Sequence, residues 1–217
     1  MTLAAPRPAR ALLSIAAALA FAACTTSGGG AAPTATGGGP DGGSAAATEC
    51  PTTQPAPLPA GETRTVTIET DAGTIAIKVQ ADLSPIAAGN FVALASCGYY
   101  DGVVFHRVVP GFVIQGGDPT GSGSGGPGYT IQDEPVTAQY SRGTVAMART
   151  PQPNSVGSQF FIVLDDTARP ALASANTYQI IGTVESGMDA VDAIAAAADA
   201  ELPSNPVVMT EVSVANP

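Results

Sequence analysis

The stretch FHRVVPGFVIQGGD, Phe105–Asp118, sets the chain's single histidine and an arginine in an apolar run that ends on two glycines and an aspartate. A His-Arg pair suggests acid–base or phosphate chemistry, yet both need partner groups that this segment lacks. On a strand, neighbouring side chains point to opposite faces, so His106 and Arg107 serve different surroundings and His106 reads as a structural residue. Pro110 and Gly111 interrupt the run and bend it, which lets Arg107 and Phe112 present to one cavity.

Outward from this segment the chain reads as a series of short strands. RTVTIET (Arg64–Thr70) and TIAIKV (Thr74–Val79) both alternate and are joined by Asp71-Ala72-Gly73, the pattern of a β-hairpin. Further strand-like runs are VVFHRVV, FVIQG, GTVAMA, SQFFIVL, YQIIGTV and VVMTEVSV. One helix is expected after Ser84, with Pro85 at its first position, Ile86, Phe91, Val92 and Leu94 as its apolar stripe, and Gly98 as its stop. A second, Ala-rich helix fits Met188–Ala198. Many short strands, two isolated helices and Gly/Pro turns predict an all-β sandwich or barrel rather than alternating α/β units.

The front of the chain has a different character. Met1–Arg10 carries Arg7 and Arg10 without an acid, ALLSIAAALAF follows as an apolar run too short to span a bilayer, and small residues lead to Cys24. Residues 1–23 therefore read as an export leader. Its AFAAC ending resembles the bacterial lipoprotein signal, which implies lipidation of Cys24 and anchoring on the outer face of the cell membrane. Plain secretion, with Cys24 left as a free thiol, is the alternative. Residues 24–60 are rich in Gly, Ala, Thr, Ser and Pro with almost no large apolar side chain. A disordered tether with an r.m.s. reach of about 30 Å is expected there. The folded domain is then 61–217.

Without the leader, six cations face eighteen acids, a net charge of −12. That balance argues against nucleic acid or an anionic membrane surface as partners, so membrane contact is expected through the lipid alone, and a monomer is expected. Lipidation of Cys24 leaves Cys50 and Cys97 as the natural disulfide pair in an exported chain, two unrelated thiols being the alternative. GSGSGG, Gly121–Gly126, matches a dinucleotide fingerprint by letter, but Pro127 and Gly128 follow where a phosphate-binding helix would begin. It reads as a Gly-rich surface loop. No cluster has metal-ligand spacing and no nucleophile sits in a strained elbow, so neither a metal nor a cofactor is expected.

FHRVVPGFVIQGGDPTGSGSGGPGY, GTVAMART, NSVGSQFFIVL and GTVESGMDAVDAI, in that order, resemble the cyclophilin family of peptidyl-prolyl cis-trans isomerases over about Arg64–Val214. The resemblance implies a mainly β fold: a closed eight-stranded antiparallel barrel with a helix closing each end and an apolar groove on its outer face. Arg107 stands at the family's catalytic arginine, and Phe112 and Gln115 match its Gly-Phe-x-x-Gln, Gln115 gripping the amides that flank the rotating bond. Ala148, Gln159 and Phe161 match groove positions. Val113, Arg149, Thr150, Leu172 and Tyr178 stand at or near groove positions where the family commonly carries other residues.

The chemistry so implied explains a lone arginine on an apolar strand. A peptide bond resists rotation by about 18–20 kcal/mol because the nitrogen lone pair is shared with the carbonyl. At the twisted midpoint that sharing is lost, and the proline nitrogen becomes an acceptor for a fixed guanidinium. No bond breaks, so no nucleophile is required. Proline-containing unfolded or flexible segments are the implied partners. A non-catalytic module that binds proline segments is the alternative.

Overall fold

The computed structural model describes residues 49–215, so the leader, Cys24 and the tether as far as residue 48 lie outside the described residues. Alternation builds the first hairpin. In β1 (Thr63–Thr70), Val66 and Ile68 turn inward, and in β2 (Gly73–Gln80), Ile75, Ile77 and Val79 do the same. The two strands pair antiparallel from Thr63↔Gln80 to Thr70↔Gly73. Gly73 sits at φ +126°, a conformation that side chains with a Cβ rarely adopt, so the tight turn depends on glycine.

Helix α1 (Pro85–Ser96) follows, with Pro85 in its first turn and Ala87, Ala88, Phe91 and Leu94 on its buried side. Ser84 precedes it without a side-chain cap. Glu134, remote in sequence, caps instead: its carboxylate accepts from the N–H groups of Ile86 and Ala87, both at 2.9 Å. A carboxylate there satisfies orphan donors and complements the helix dipole. Phe91 stacks edge-on to Phe160 and tilted on Tyr100, with ring centroids 5.1 and 5.4 Å away, which fixes the helix on the sheet.

The remaining strands are β3 (Arg107–Val109), β4 (Val113–Gly116), β5 (Thr144–Met147), β6 (Phe160–Val163), β7 (Ile180–Ser186) and β8 (Glu211–Val214). All eight form one antiparallel sheet in the order β3-β4-β6-β5-β7-β2-β1-β8. The sheet curls but is not the closed barrel that was expected. Its edges β3 and β8 share no ladder. The seam is crossed by the isolated Val104–Val208 bridge and by hydrogen bonds from Gly102 to Met209, Met209 to Val103 and Phe105 to Val207. Pro110 ends β3 after three residues, and Pro203 and Pro206 remove donors from the segment facing it, so a continuous ladder cannot form. VVFHRVV accordingly contributes a strand only from Arg107.

Two helices were expected and three are present among the described residues. The second expected helix is α3 (Met188–Ala197). The unexpected one is α2 (Arg169–Ala175), which follows a 3-10 turn capped by Asp165, whose carboxylate accepts from Thr167 N–H at 2.8 Å. The tether boundary also moves. Residues 49–60 lie on the domain: Leu58 is buried, its N–H donates to the Pro85 carbonyl, and Cys50 is disulfide-bonded to Cys97 at the end of α1. Gly89 of α1 makes room for this segment, since a Cβ there would run into the Ala56 carbonyl oxygen.

The sheet has apolar clusters on both sides. Ile114, Phe160 and Ile162 join the interior core. Their alternates Val113, Phe161 and Val163 form an outer cluster with Tyr140, Ala146, Ala168, Leu172 and Ile180. The residues of this outer cluster are buried: Tyr140, Ala168 and Leu172 of α2 cover that face of the sheet in place of a second sheet.

Candidate active site

Register places the key side chains in one row across four strands. Arg107 of β3 is opposite Gln115 of β4, Gln115 is opposite Phe161 of β6, and Phe161 is opposite Ala146 of β5. Because the period of a strand is two, Val113 shares the outer face with Gln115. Beside this row lies a recess of about 120 Å³, lined by Arg107, Phe112, Val113, Gln115, Ala148, Arg149, Phe161, Leu172 and Tyr178. Tyr178 meets Phe161 edge-on at 5.4 Å between ring centroids, and Leu172 is supplied by α2. Tyr140 braces the wall by donating its hydroxyl to the Tyr178 carbonyl at 2.9 Å. Burial pushes the Tyr140 phenol up to about 12, so it remains a donor at any working pH.

Thr150 and Gln159 lie in a neighbouring, larger hollow of about 440 Å³, which shares Gln115, Ala148 and Arg149 with the recess. Gln115 donates to Gln159 Oε1 at 2.9 Å, and Gln159 in turn donates to the carbonyls of Gly123 and Gly125. The two amides thus form a chain from the recess to the Gly-rich loop. Arg149 is spent on structure: its guanidinium pairs with Asp133 at 2.9 Å and donates to the carbonyls of Thr150, Gln152 and Thr177. It forms part of the partition between the two hollows rather than a free charge for a ligand.

The Gly-rich loop is pinned from inside. Asp118 is fully buried, and its carboxylate accepts from the Thr120 N–H and hydroxyl and from the Gly125 N–H, at 2.7, 2.8 and 3.0 Å. Burial alone would raise its pKa, but these donors outweigh it and bring it to about 2. The Asp-Pro-Thr sequence at 118–120 carries the signature of such an Asx turn. His106 lies buried under the loop, and neither ring nitrogen has a hydrogen-bond partner among the described residues. Burial lowers its pKa, the nearby Asp118 carboxylate opposes this, and adjacent Arg107 adds to it.

Arg107 differs from Arg149, the other arginine lining the recess. Its Nε donates to Glu201 Oε1 at 2.7 Å, and among the described residues this is the only hydrogen bond of its side chain. Both Nη amino groups are left for a ligand in the recess. Glu201 had no sequence signal, standing 94 residues from Arg107 in a loop of ordinary composition. The recess as a whole offers an apolar slot, a cation at its rim and an amide donor beside it.

The family model described as cyclophilin type peptidyl-prolyl cis-trans isomerase/CLD matches residues 65–214. The chain belongs to this family. Among relatives of the cyclophilin, a Brucella abortus protein named a probable peptidyl-prolyl cis-trans isomerase is 40% identical over 149 residues, 63% of this chain and 74% of that one. A Cryptococcus neoformans peptidyl-prolyl isomerase is 48% identical over 118 residues, 52% of this chain. The match spans 23% of the Cryptococcus protein's length, and 22% of a longer Streptococcus pyogenes relative. Among solved structures, a cyclophilin type peptidyl-prolyl cis-trans isomerase from Cryptosporidium parvum superposes with a TM-score of 0.64 at 31% identity. The superposition covers 72% of this chain and 100% of that one. A second structure of that protein was obtained in the presence of the dipeptide Ala-Pro, with a TM-score of 0.63.

Proposed function

We propose that this cyclophilin accelerates cis-trans rotation about X-Pro bonds in exported proteins, from an anchor on the outer face of the membrane. The observation that carries the activity is Arg107, held at one nitrogen and unpartnered at the other two, on the rim of an apolar recess sized for a small ring. Phe112, Val113, Phe161 and Leu172 hold the proline ring by excluding water from it. Gln115 grips the chain beside the ring, so that rotation turns one half of the substrate against a fixed other half. As the nitrogen loses conjugation, an Arg107 Nη–H donates to its lone pair, a bond with no counterpart in the planar ground state. Arginine keeps its charge throughout. Proline-containing segments are the substrate class, of which the Ala-Pro present with the Cryptosporidium protein is the smallest example.

A protease-coupled proline-peptide assay on the domain tests the activity. Arg107→Ala is expected to lower kcat/KM ten-fold or more, about 1.4 kcal/mol of transition-state stabilisation, with unchanged melting. Undiminished turnover in that variant would refute Arg107 as the donor, whereas a wild-type domain that shows no turnover would leave peptide binding without catalysis as the function of the recess. The anchor rests on the leader and on Cys24. Cys24→Ser is expected to move the exported protein from the detergent to the aqueous phase without loss of turnover, and a wild-type protein that partitions wholly into water refutes the lipid.

A further inference from the structure

Arg107 stands at the start of an edge strand, where neither backbone nor side chain is restrained by a strand on the outer side. The loop between α3 and β8 takes that place. Val108 N–H donates to the Glu201 carbonyl at 2.8 Å, and the Glu201 carboxylate accepts from Arg107 Nε at 2.7 Å. One residue therefore holds both the strand and its arginine. Glu201 is itself fixed from both sides. Asp199 accepts from the Ser204 N–H at 3.0 Å and from the Ser204 hydroxyl, which closes the loop on itself. Beyond it, Phe105 N–H donates to the Val207 carbonyl at 2.9 Å.

Gln115, directly across from Arg107 in register, does not share this task, because its amide is bound to Gln159. An arginine side chain has many rotamers, and with its Nε free the guanidinium would sample them in water. The guanidinium is planar, so fixing Nε fixes the direction of both Nη groups. From this geometry we propose that Glu201 is a positioning residue, which aims the Arg107 Nη groups at the proline nitrogen in the recess. The proposal rests on the isomerase function argued above. Glu201 touches no substrate; it acts through Arg107, and what it needs is an acceptor oxygen at that point rather than a negative charge.

The test compares Glu201→Ala, Glu201→Gln and Arg107→Ala by steady-state peptide isomerisation, together with the NMR signal of the Arg107 Nε–H. Glu201→Ala is expected to lower kcat about ten-fold with KM little changed, because misaiming a group by about 1 Å is costly in the transition state and not in the ground state. Glu201→Gln keeps an acceptor oxygen and is expected to restore most of the rate. The distinct Nε–H signal of the wild type should persist in Glu201→Gln and collapse toward the free-arginine position in Glu201→Ala. In an Arg107→Ala background, Glu201→Ala should cost nothing further, whereas a purely structural loss would persist there.

Unchanged or raised kcat in Glu201→Ala overturns the proposal, as does equal loss in Glu201→Gln. Intact turnover in Arg107→Ala overturns it too, because Glu201 acts through that arginine; if the wild-type domain shows no turnover, the isomerase function fails instead, so the two failures are told apart.

Discussion

Reduction of the Cys50–Cys97 disulfide separates what that bond does to the folded state from what it does to the unfolded one. The bond closes a segment of 47 residues that contains the whole first hairpin and α1. For a loop of that length the chain-entropy relation gives roughly 4 kcal/mol at 25 °C, all of it from restricting the unfolded chain. The native contacts of the bridged segment do not depend on the bond. Leu58 stays buried with its N–H on the Pro85 carbonyl, and Gln132 N–H donates to Gln54 Oε1 at 2.9 Å. A domain of this size loses about 2–4 °C of melting midpoint per kcal/mol. Calorimetry with and without reductant is thus expected to differ by roughly 8–16 °C, with Cys50→Ser matching the reduced protein. Neither cysteine lines the recess, so turnover at 25 °C should be unchanged. A shift under about 2 °C with both thiols shown free by alkylation would refute the entropic reasoning, and a large fall in turnover would refute the independence of bond and site.

Acid stability should fall in two stages. The folded pKa of His106 lies below its unfolded value, so the unfolded chain takes up the proton first and stability declines as pH drops below about 6.5. Asp118 retains its charge down to about 2, so its contribution is complete above about pH 4 and is lost between there and pH 2. Urea midpoints against pH should show both, and His106→Leu should flatten the first stage; an unaltered slope in that variant would exonerate the histidine. Gly89→Ala should cost about 1–3 kcal/mol, because its Cβ must displace the 56–58 backbone from α1. Limited proteolysis near Ala56 should quicken with it, and unchanged melting and cleavage would show that the segment yields without cost.

Much of the fold was legible wherever a pattern was local. Alternation over Arg64–Thr70 and Thr74–Val79 identified β1 and β2 to within a residue at each end, and Pro85 with Gly98 bracketed α1. The family resemblance named Val113, Gln115 and Phe161 as groove residues, and the β4–β6 register sets them on one face, where they line one recess with Arg107. What was missed depends on long-range placement. Helix α2, seven residues with a proline near its start, is too short for a periodic stripe. The open seam follows from prolines in a segment whose facing strand could not be known in advance. Arg149 counted as a groove residue, and it lines the recess, but Asp133 and three carbonyls absorb its charge. Glu201 became visible only when the last loop was laid against β3.

The strand order sets when this sheet can be completed. β1 is the first strand among the described residues, yet one of its two neighbours is β8, paired through Val66↔Val214 to Glu69↔Glu211. While the chain is being made, that side of β1 is an open edge of unpaired donors and acceptors, and it remains so until residues 211–214 emerge. Such an edge is a template for intermolecular pairing. Pairings across so much sequence also slow the search for the native state. The sheet is therefore completed only once residues 211–214 have been made. A cyclophilin proposed to speed the folding of other proteins would itself pass through a period with an exposed strand, in which crowding by its own copies is the hazard.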